Sequence, residues 1–377
     1  MWSMVRPAVR SGAWLMPTLL LGVLFAAAGC GKHLNPAWCA GPGHSDPACV
    51  ANESVDAQPT GCTGNGDCPG TMCLPSGVCA GPDAMLYASP AGTGTGCTTT
   101  AKCSIAAAID QATADRNAIV LDPGIYPTAI AINHSVQIIG HGATIEGAST
   151  GAAVTVTNDV TVDLSDLSIT GATGSSGISC ISGTLRARGL RITNNQIGVT
   201  SACALRLERS VISANVGGAI AVTAGSIDFH NNFIFRNGSP TLGRSANVVI
   251  GNGVSGQFVF NTVAYNDSKK NSTPGVDCNS PTVVLDGNLI ADNTEKGLFN
   301  GAAQVSGTCD FTKSYTKPTS VANDIHWVDV SADFHLTAAS TLALDIPGLV
   351  CDGKDDFDGD SRPLGGGCDY GADERMP

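Results

Sequence analysis

VDLSDLSITGA (162–172), RARGLRITNN (186–195), RLERSVISAN (206–215), DFHNNFIFRN (228–237), VFNTVAYN (259–266) and VLDGNLIADN (284–293) are one unit written six times. Anchored on Leu167, Leu190, Ser210, Asn232, Asn261 and Asn288, the units follow one another at steps of 20 to 29 residues. A period of that length marks a stack of small repeats, each burying its apolar face only against its neighbours. Two residues after the anchor stand Ile169, Ile192, Ile212, Ile234, Val263 and Ile290; three before it stand Leu164, Ala187, Leu207, Phe229, Phe258 and Leu285. Val162, Leu185, Leu205, Ile227, Gly256 and Val283 lie two further back. Residues two apart share one side of a strand, so these columns face inward. Five after the anchor comes Ala172, then Asn195, Asn215, Asn237, Asn266 and Asn293. Asn tolerates left-handed turns, and stacked Asn side chains bond to one another along a pile of strands.

Short strands, coils of this length and Asn at one phase of a turn resemble the right-handed parallel β-helix of the pectate-lyase type. Ala118–Gly147 resembles its opening coils, with a strand, Pro123-Gly124-x-Tyr126 and a second strand. The resemblance covers about residues 84–345 and implies an all-β solenoid. Its open ends need covering. Ile105, Ala108, Ile109 and Ala112 recur at helical spacing and predict a capping helix over about 102–116. Residues 351–374, CDGKDDFDGDSRPLGGGCDYGADE, resemble a D-x-D-G…R-P…D-[IY]-G-A-x-E segment found on many exported bacterial β-helix proteins, where it closes the helix. A C-terminal capping segment is therefore expected over 346–377.

Arg6 and Arg10, the apolar run Trp14–Ala28 and then Ala27-Ala28-Gly29-Cys30 resemble a bacterial lipoprotein signal. The run is shorter than the ~20 residues of a spanning helix. The resemblance implies removal of 1–29 and lipid on Cys30; Ala27 stands where Leu is usual, which ordinary signal cleavage also fits. Gly31 in place of Asp points to the outer membrane or cell surface. Residues 30–61 read as a flexible tether, and 62–80, with four Cys and no room for a core, as a disulfide module. The chain has 15 Cys, and setting Cys30 aside leaves an even number, as export and disulfides predict. Cys180 and Cys203 both lie 13 residues past their anchors, which predicts a staple between consecutive coils. The other expected pairs are Cys97–Cys103, Cys351–Cys368, Cys39–Cys49, and by elimination Cys278–Cys309. In the module, crossed pairs Cys62–Cys73 and Cys68–Cys79 are chosen from three connectivities. Zinc is the alternative there, but no CxxC knuckle is present.

The 377 residues carry a formal charge of −12, with no Lys/Arg cluster of the kind a nucleic-acid binder needs. Four before the anchor stand Asp163, Arg186, Arg206 and Asp228; two before it stand Ser165, Arg188, Glu208 and His230. Both columns face outward and make a polar strip. Arg188 and Arg206 suit sugar carboxylates, and Glu208 or His230 suits proton transfer. An outward strand face is polar in any case. The longest excursions, 238–256 and 267–282, are expected to flank the strip. Asp356, Asp358 and Asp360 alternate around Gly359 and make Ca²⁺ the one cofactor the sequence suggests, although Ser361 and Gly367 stand where an EF-hand needs Gly and Glu. The expected protein is a lipid-anchored monomer offering an extended surface to polysaccharide or another envelope component, without catalysis, and touching the membrane through its lipid alone. The alternatives are a polysaccharide lyase, epimerase or glycoside hydrolase acting on an acidic glycan, and a purely structural envelope component.

Overall fold

The computed structural model describes residues 62, 68, 79–242, 246–269, 271–297, 302–317, 325–351 and 355–375. Cys30, the tether, Cys39–Cys49 and the partner expected for Cys62 lie outside these residues. The repeat unit folds as read. Three parallel sheets of nine, eight and eight strands run side by side, each built of one strand per coil. One coil shows the path: Thr184–Arg188 in the first sheet, Arg191–Thr193 in the second, Ile197–Ser201 in the third, and Ala204–Glu208 back in the first. The chain is an all-β parallel β-helix of the right-handed type, with almost no helix.

The inward columns stack like on like. Leu185 pairs with Leu205 and Leu205 with Ile227; Ala187 pairs with Leu207, Leu207 with Phe229 and Phe229 with Phe258. All belong to one buried apolar cluster that runs the length of the solenoid. The Phe229 and Phe258 rings meet edge to face at 6.0 Å.

The corners are held by side-chain amides. Asn195, Asn215, Asn237, Asn266 and Asn293 form a continuous ladder, each Nδ2 donating to the next Oδ1 at 2.8 to 3.1 Å, and Gln304 ends it. The last three anchors form a second ladder. Asn232 donates to Asn261 and Asn261 to Asn288, at 2.8 and 3.2 Å, and Ser314 ends it. Asn237 is 1 % exposed. Its Oδ1 accepts from the Asn215 backbone and side chain, and its Nδ2 donates to the carbonyls of Ile212 and Phe235 and to Asn266.

Disulfides Cys68–Cys79, Cys97–Cys103, Cys180–Cys203, Cys278–Cys309 and Cys351–Cys368 are present. Cys180 and Cys203 are not directly opposite, as equal phase had suggested. Cys180 faces Ser201, and Cys203 lies two residues on. The turn from Thr170 to Ser176 is two residues longer than the next one, Thr193 to Ile197. A slip of two keeps both side chains on the same face, and their Cα atoms are 5.8 Å apart.

At the N-terminal end a helix spans Ile105–Asp110 only, shorter than expected, with the Ser104 hydroxyl capping Ala107 N–H. Gln111 caps its C-terminal end, and in the turn beyond it the Thr113 hydroxyl accepts the Arg116 amide. Ile105, Ala108 and Ile109 are buried in the same core as Leu86 and Ile119. The phenol of Tyr126, from the Pro-Gly-x-Tyr motif, donates to the carbonyls of Ala88 and Asp122, and burial pushes it up to about 12. The solenoid ends near Tyr315, earlier than the expected 345, because Trp327–Asp329 and Asp333–Leu336 pair with each other as an antiparallel hairpin. This hairpin and the C-terminal segment pack along the outside of the coils. Phe334 stacks on Phe235 at 4.3 Å, and Phe357 meets Phe233 at 4.7 Å. The buried Arg362 guanidinium bonds Glu374 at 2.8 Å and the Asn231 side chain, and lies 4.6 Å over the Phe260 ring.

Asn237→Ala deletes five bonds and strands buried amides in two coils, so a loss of about 3 kcal/mol is expected in urea unfolding. Arg362→Ala leaves the Glu374 charge buried and unpaired. It should cost about 3–5 kcal/mol and expose the C-terminal segment to limited proteolysis, while the core strands keep their hydrogen-exchange protection.

Candidate functional site

The outer face of the first sheet is covered at both ends and open between them. Towards the N-terminus, Met85, Ala118 and Ile139 make a small apolar cluster with Ala80. Towards the C-terminus, Val259 and Phe260 pack with Cys368, Leu349 and Cys351 of the C-terminal segment. The open window holds the two polar columns in the expected register. Asp163, Arg186, Arg206, Asp228 and Gln257 are successive partners in one; Ser165, Arg188, Glu208, His230 and Val259 are successive partners in the other.

Ion pairs link several of the rungs. Arg186 Nη1 lies 3.7 Å from Asp163 Oδ1. Arg206 binds Glu208 and lies 3.5 Å from Asp228 Oδ2. Burial works against the Arg206 charge, but the hydrogen bond and charge of Glu208, with Asp228 and Asp163, outweigh it and push its pKa up. Asp228 Oδ1 also takes the Gln257 amide at 2.7 Å and lies 2.9 Å from His230 Nδ1. Arg188 is exposed and, among the described residues, has no carboxylate within ion-pair distance. Near the N-terminal end of the window an open depression of about 210 Å³ is lined by Asn117, Gln137, Thr161, Asp163 and Arg186, among others. Burial raises the Asp163 carboxyl to about 6; Arg186 and Arg206 oppose this but do not cancel it.

No family model matches the chain, and no curated protein matches it. One solved structure is similar in fold, titled "Crystal structure of pectate lyase Pel9A". The likeness has a TM-score of 0.47 at 15 % identity and covers 77 % of this chain and 96 % of that one.

The four sequence candidates lie together but are not equivalent. Arg188 and Arg206 face solvent. Glu208 is tied to Arg206. His230 was expected to point outward into solvent and is 1 % exposed, because the next member of its column, Val259, lies under the C-terminal segment and Asn231 beside it bonds the Asp355 carbonyl. The excursions at 238–256 and 267–282 do not flank the strip. They leave each coil between the second and third sheets, the corner opposite the first sheet, and contribute the third-sheet strands Val248–Ile250 and Val276–Cys278. Asp163, which shares its column with Arg186 and Arg206, is the carboxyl with the raised pKa; its burial depends on the neighbouring coils and has no sequence signature.

The acidic stretch 356–360 is also arranged differently from the calcium expectation. Asp356 is fully buried, its Oδ1 accepting the amides of Asp358, Gly359 and Asp360 and its Oδ2 that of Glu374. Asp358 turns instead to His335, at 2.9 Å. Asp356, Asp358 and Asp360 do not converge as a three-ligand cluster among the described residues.

A carboxyl with a raised folded pKa binds its proton more tightly folded than unfolded. Asp163 therefore stabilises the fold relatively at low pH, and that contribution is lost as pH rises from the unfolded value, near 4, through about 6. Carbon-detected NMR should place its midpoint near 6, Arg186→Ala should move it higher, and Asp163→Asn should stabilise the protein at pH 8 more than at pH 4.

Proposed function

We propose that this protein is an exported, lipid-anchored β-helix whose open first-sheet face binds an acidic polysaccharide or a similar envelope polymer without transforming it. The observation that carries the reading is the arginine array: Arg186 and Arg206 on adjacent rungs, and Arg188 beside them, exposed and without a carboxylate partner among the described residues. Rungs ~4.8 Å apart present the same chemistry repeatedly, which suits a repeating chain. Guanidinium groups pair carboxylates two bonds at a time. The non-catalytic part is supported by the burial of His230, by the engagement of Glu208 and by the placement of the long excursions away from the strip. In this reading, lipid on Cys30 holds the body at the outer membrane or cell surface, and the tether spaces it from the bilayer.

One observation favours an enzyme acting on an acidic glycan. Asp163 lines an open depression beside Arg186, and a carboxyl titrating near neutrality is suited to general acid–base work.

Affinity electrophoresis through gels holding acidic or neutral polysaccharides tests both. Retardation by a carboxylated polymer that weakens with salt is expected, and Arg188→Ala or Arg186→Ala should each weaken it about tenfold, the size of one lost charge-assisted contact. New unsaturated or reducing ends, abolished by Asp163→Asn or Glu208→Gln, would replace the binding reading with the enzyme. Neither retardation nor turnover on any polymer would leave a structural envelope component.

A further inference from the structure

A second cluster lies over the second sheet, around one corner from the arginine strip, where the C-terminal segment meets the hairpin. One nitrogen of His335 and one carboxylate oxygen each of Asp358 and Asp373 lie within 4.8 Å of one another. The three residues come from separate stretches: the hairpin strand Asp333–Leu336, the acidic turn after Asp356, and the chain's last described residues. We propose that these side chains form a binding site for a transition-metal dication of the zinc type, which fastens the C-terminal segment to the hairpin.

Three observations carry this. The ring is oriented from behind: His335 Nδ1 bonds the Asp333 carboxylate. A carboxylate on one ring nitrogen leaves the other with its lone pair forward, the arrangement that prepares a histidine for metal. Forward of it, Nε2 faces Asp358 Oδ2 at 2.9 Å. At that distance either a ring N–H or a shared cation joins the two atoms.

A proton on the ring would satisfy that one line, but it would leave the third arm unanswered. Asp373 is 7 % exposed. One of its oxygens accepts the Leu336 amide at 3.0 Å, and among the described residues the other accepts no hydrogen bond. A cation shared with His335 and Asp358 would give that oxygen a partner.

Charge points the same way. Asp333, Asp358 and Asp373 surround a single histidine, so the group carries net negative charge in either ring state, and a dication offsets most of it.

The donor set selects the ion. Bonds of about 2.0–2.2 Å to one nitrogen and two oxygens place ligand atoms about 3–3.5 Å apart, which small rotations of these side chains reach. Calcium prefers six or more oxygens, whereas imidazole with carboxylates suits zinc and its neighbours. Phe233 and Phe357 flank the imidazole, with centroids 5.0 and 6.1 Å away, and wall the inner side. Asp358 is exposed, which leaves the outer side open for entry and for a water ligand.

The test uses the full chain, stripped with chelator under oxidising conditions and titrated with Zn²⁺ by calorimetry and metal analysis. One zinc per chain should bind and raise the melting temperature. That equivalent should be missing in His335→Gln and in Asp358→Asn, and Asp333→Asn should weaken it about 10–100-fold, as expected for a group that orients a ligand. If His335→Gln does not fold, the exposed Asp358→Asn keeps the test intact. Absence of zinc binding by the wild-type chain, zinc stoichiometry unchanged in Asp358→Asn and Asp373→Asn, or displacement of zinc by millimolar Ca²⁺ would overturn the proposal.

Discussion

Left-handed backbone at two corners of each of the six repeated coils is the constraint on which the rest depends. Asp166, Gly189, Arg209, Asn231, Phe260 and Gly287 precede one ladder, and Gly171, Asn194, Ala214, Arg236, Tyr265 and Asp292 precede the other; all have positive φ. Most are not glycine, and each such residue costs on the order of 1–3 kcal/mol. The residue that follows, usually Asn, answers that cost. Its side chain spans the corner, bonding the carbonyls inside and the next coil outside, so the same group that makes the turn affordable also sets the distance between rungs. Because the bonds run from coil to coil, strain at one corner is shared along the ladder. The ladders stop where the amides stop, at Gln304 and Ser314, and the regular solenoid ends there too.

Once the corners are equal, everything else inherits a common register. Inward residues stack by type and outward residues stand in columns, so Arg186 falls beside Arg206 and Arg188 beside Glu208. The register tolerates a slip of two residues at the third sheet because strand faces repeat every two, and the Cys180–Cys203 bridge forms across that slip. Charged residues in neighbouring rungs then neutralise one another. Arg186 thus pairs with Asp163 and Arg206 with Glu208 and Asp228, while Arg188 has no carboxylate within ion-pair distance among the described residues.

Coverage decides which part of that face meets solvent. The C-terminal segment is not a plug on the last coil. It lies against the sides of several, held by a buried Arg362–Glu374 pair, by Asp356 gathering four backbone amides and by the contact of Phe357 with Phe233. This lateral course buries the lower end of the strip and brings Asp358 and Asp373 to His335. The segment therefore shapes one candidate surface by covering it and creates another by approaching it.

The repeat carried most of the fold, since period, inward columns and the Asn phase are local properties of each unit. The facing of Arg186, Arg188 and Arg206 followed from the same counting. The second amide ladder was also written in the chain, in Asn232, Asn261 and Asn288, but its meaning needed the αL corner beside it. Three things were decided only in the folded molecule. His230 has the phase of an outward residue and is buried, because a segment more than a hundred residues away runs beside it. Asp163 titrates high because neighbouring coils desolvate it despite Arg186. His335, Asp358 and Asp373 have no spacing in common and meet only when the hairpin and the C-terminal segment dock. Periodicity governs what each coil does to the next; burial and long-range approach depend on surfaces that no repeat encodes.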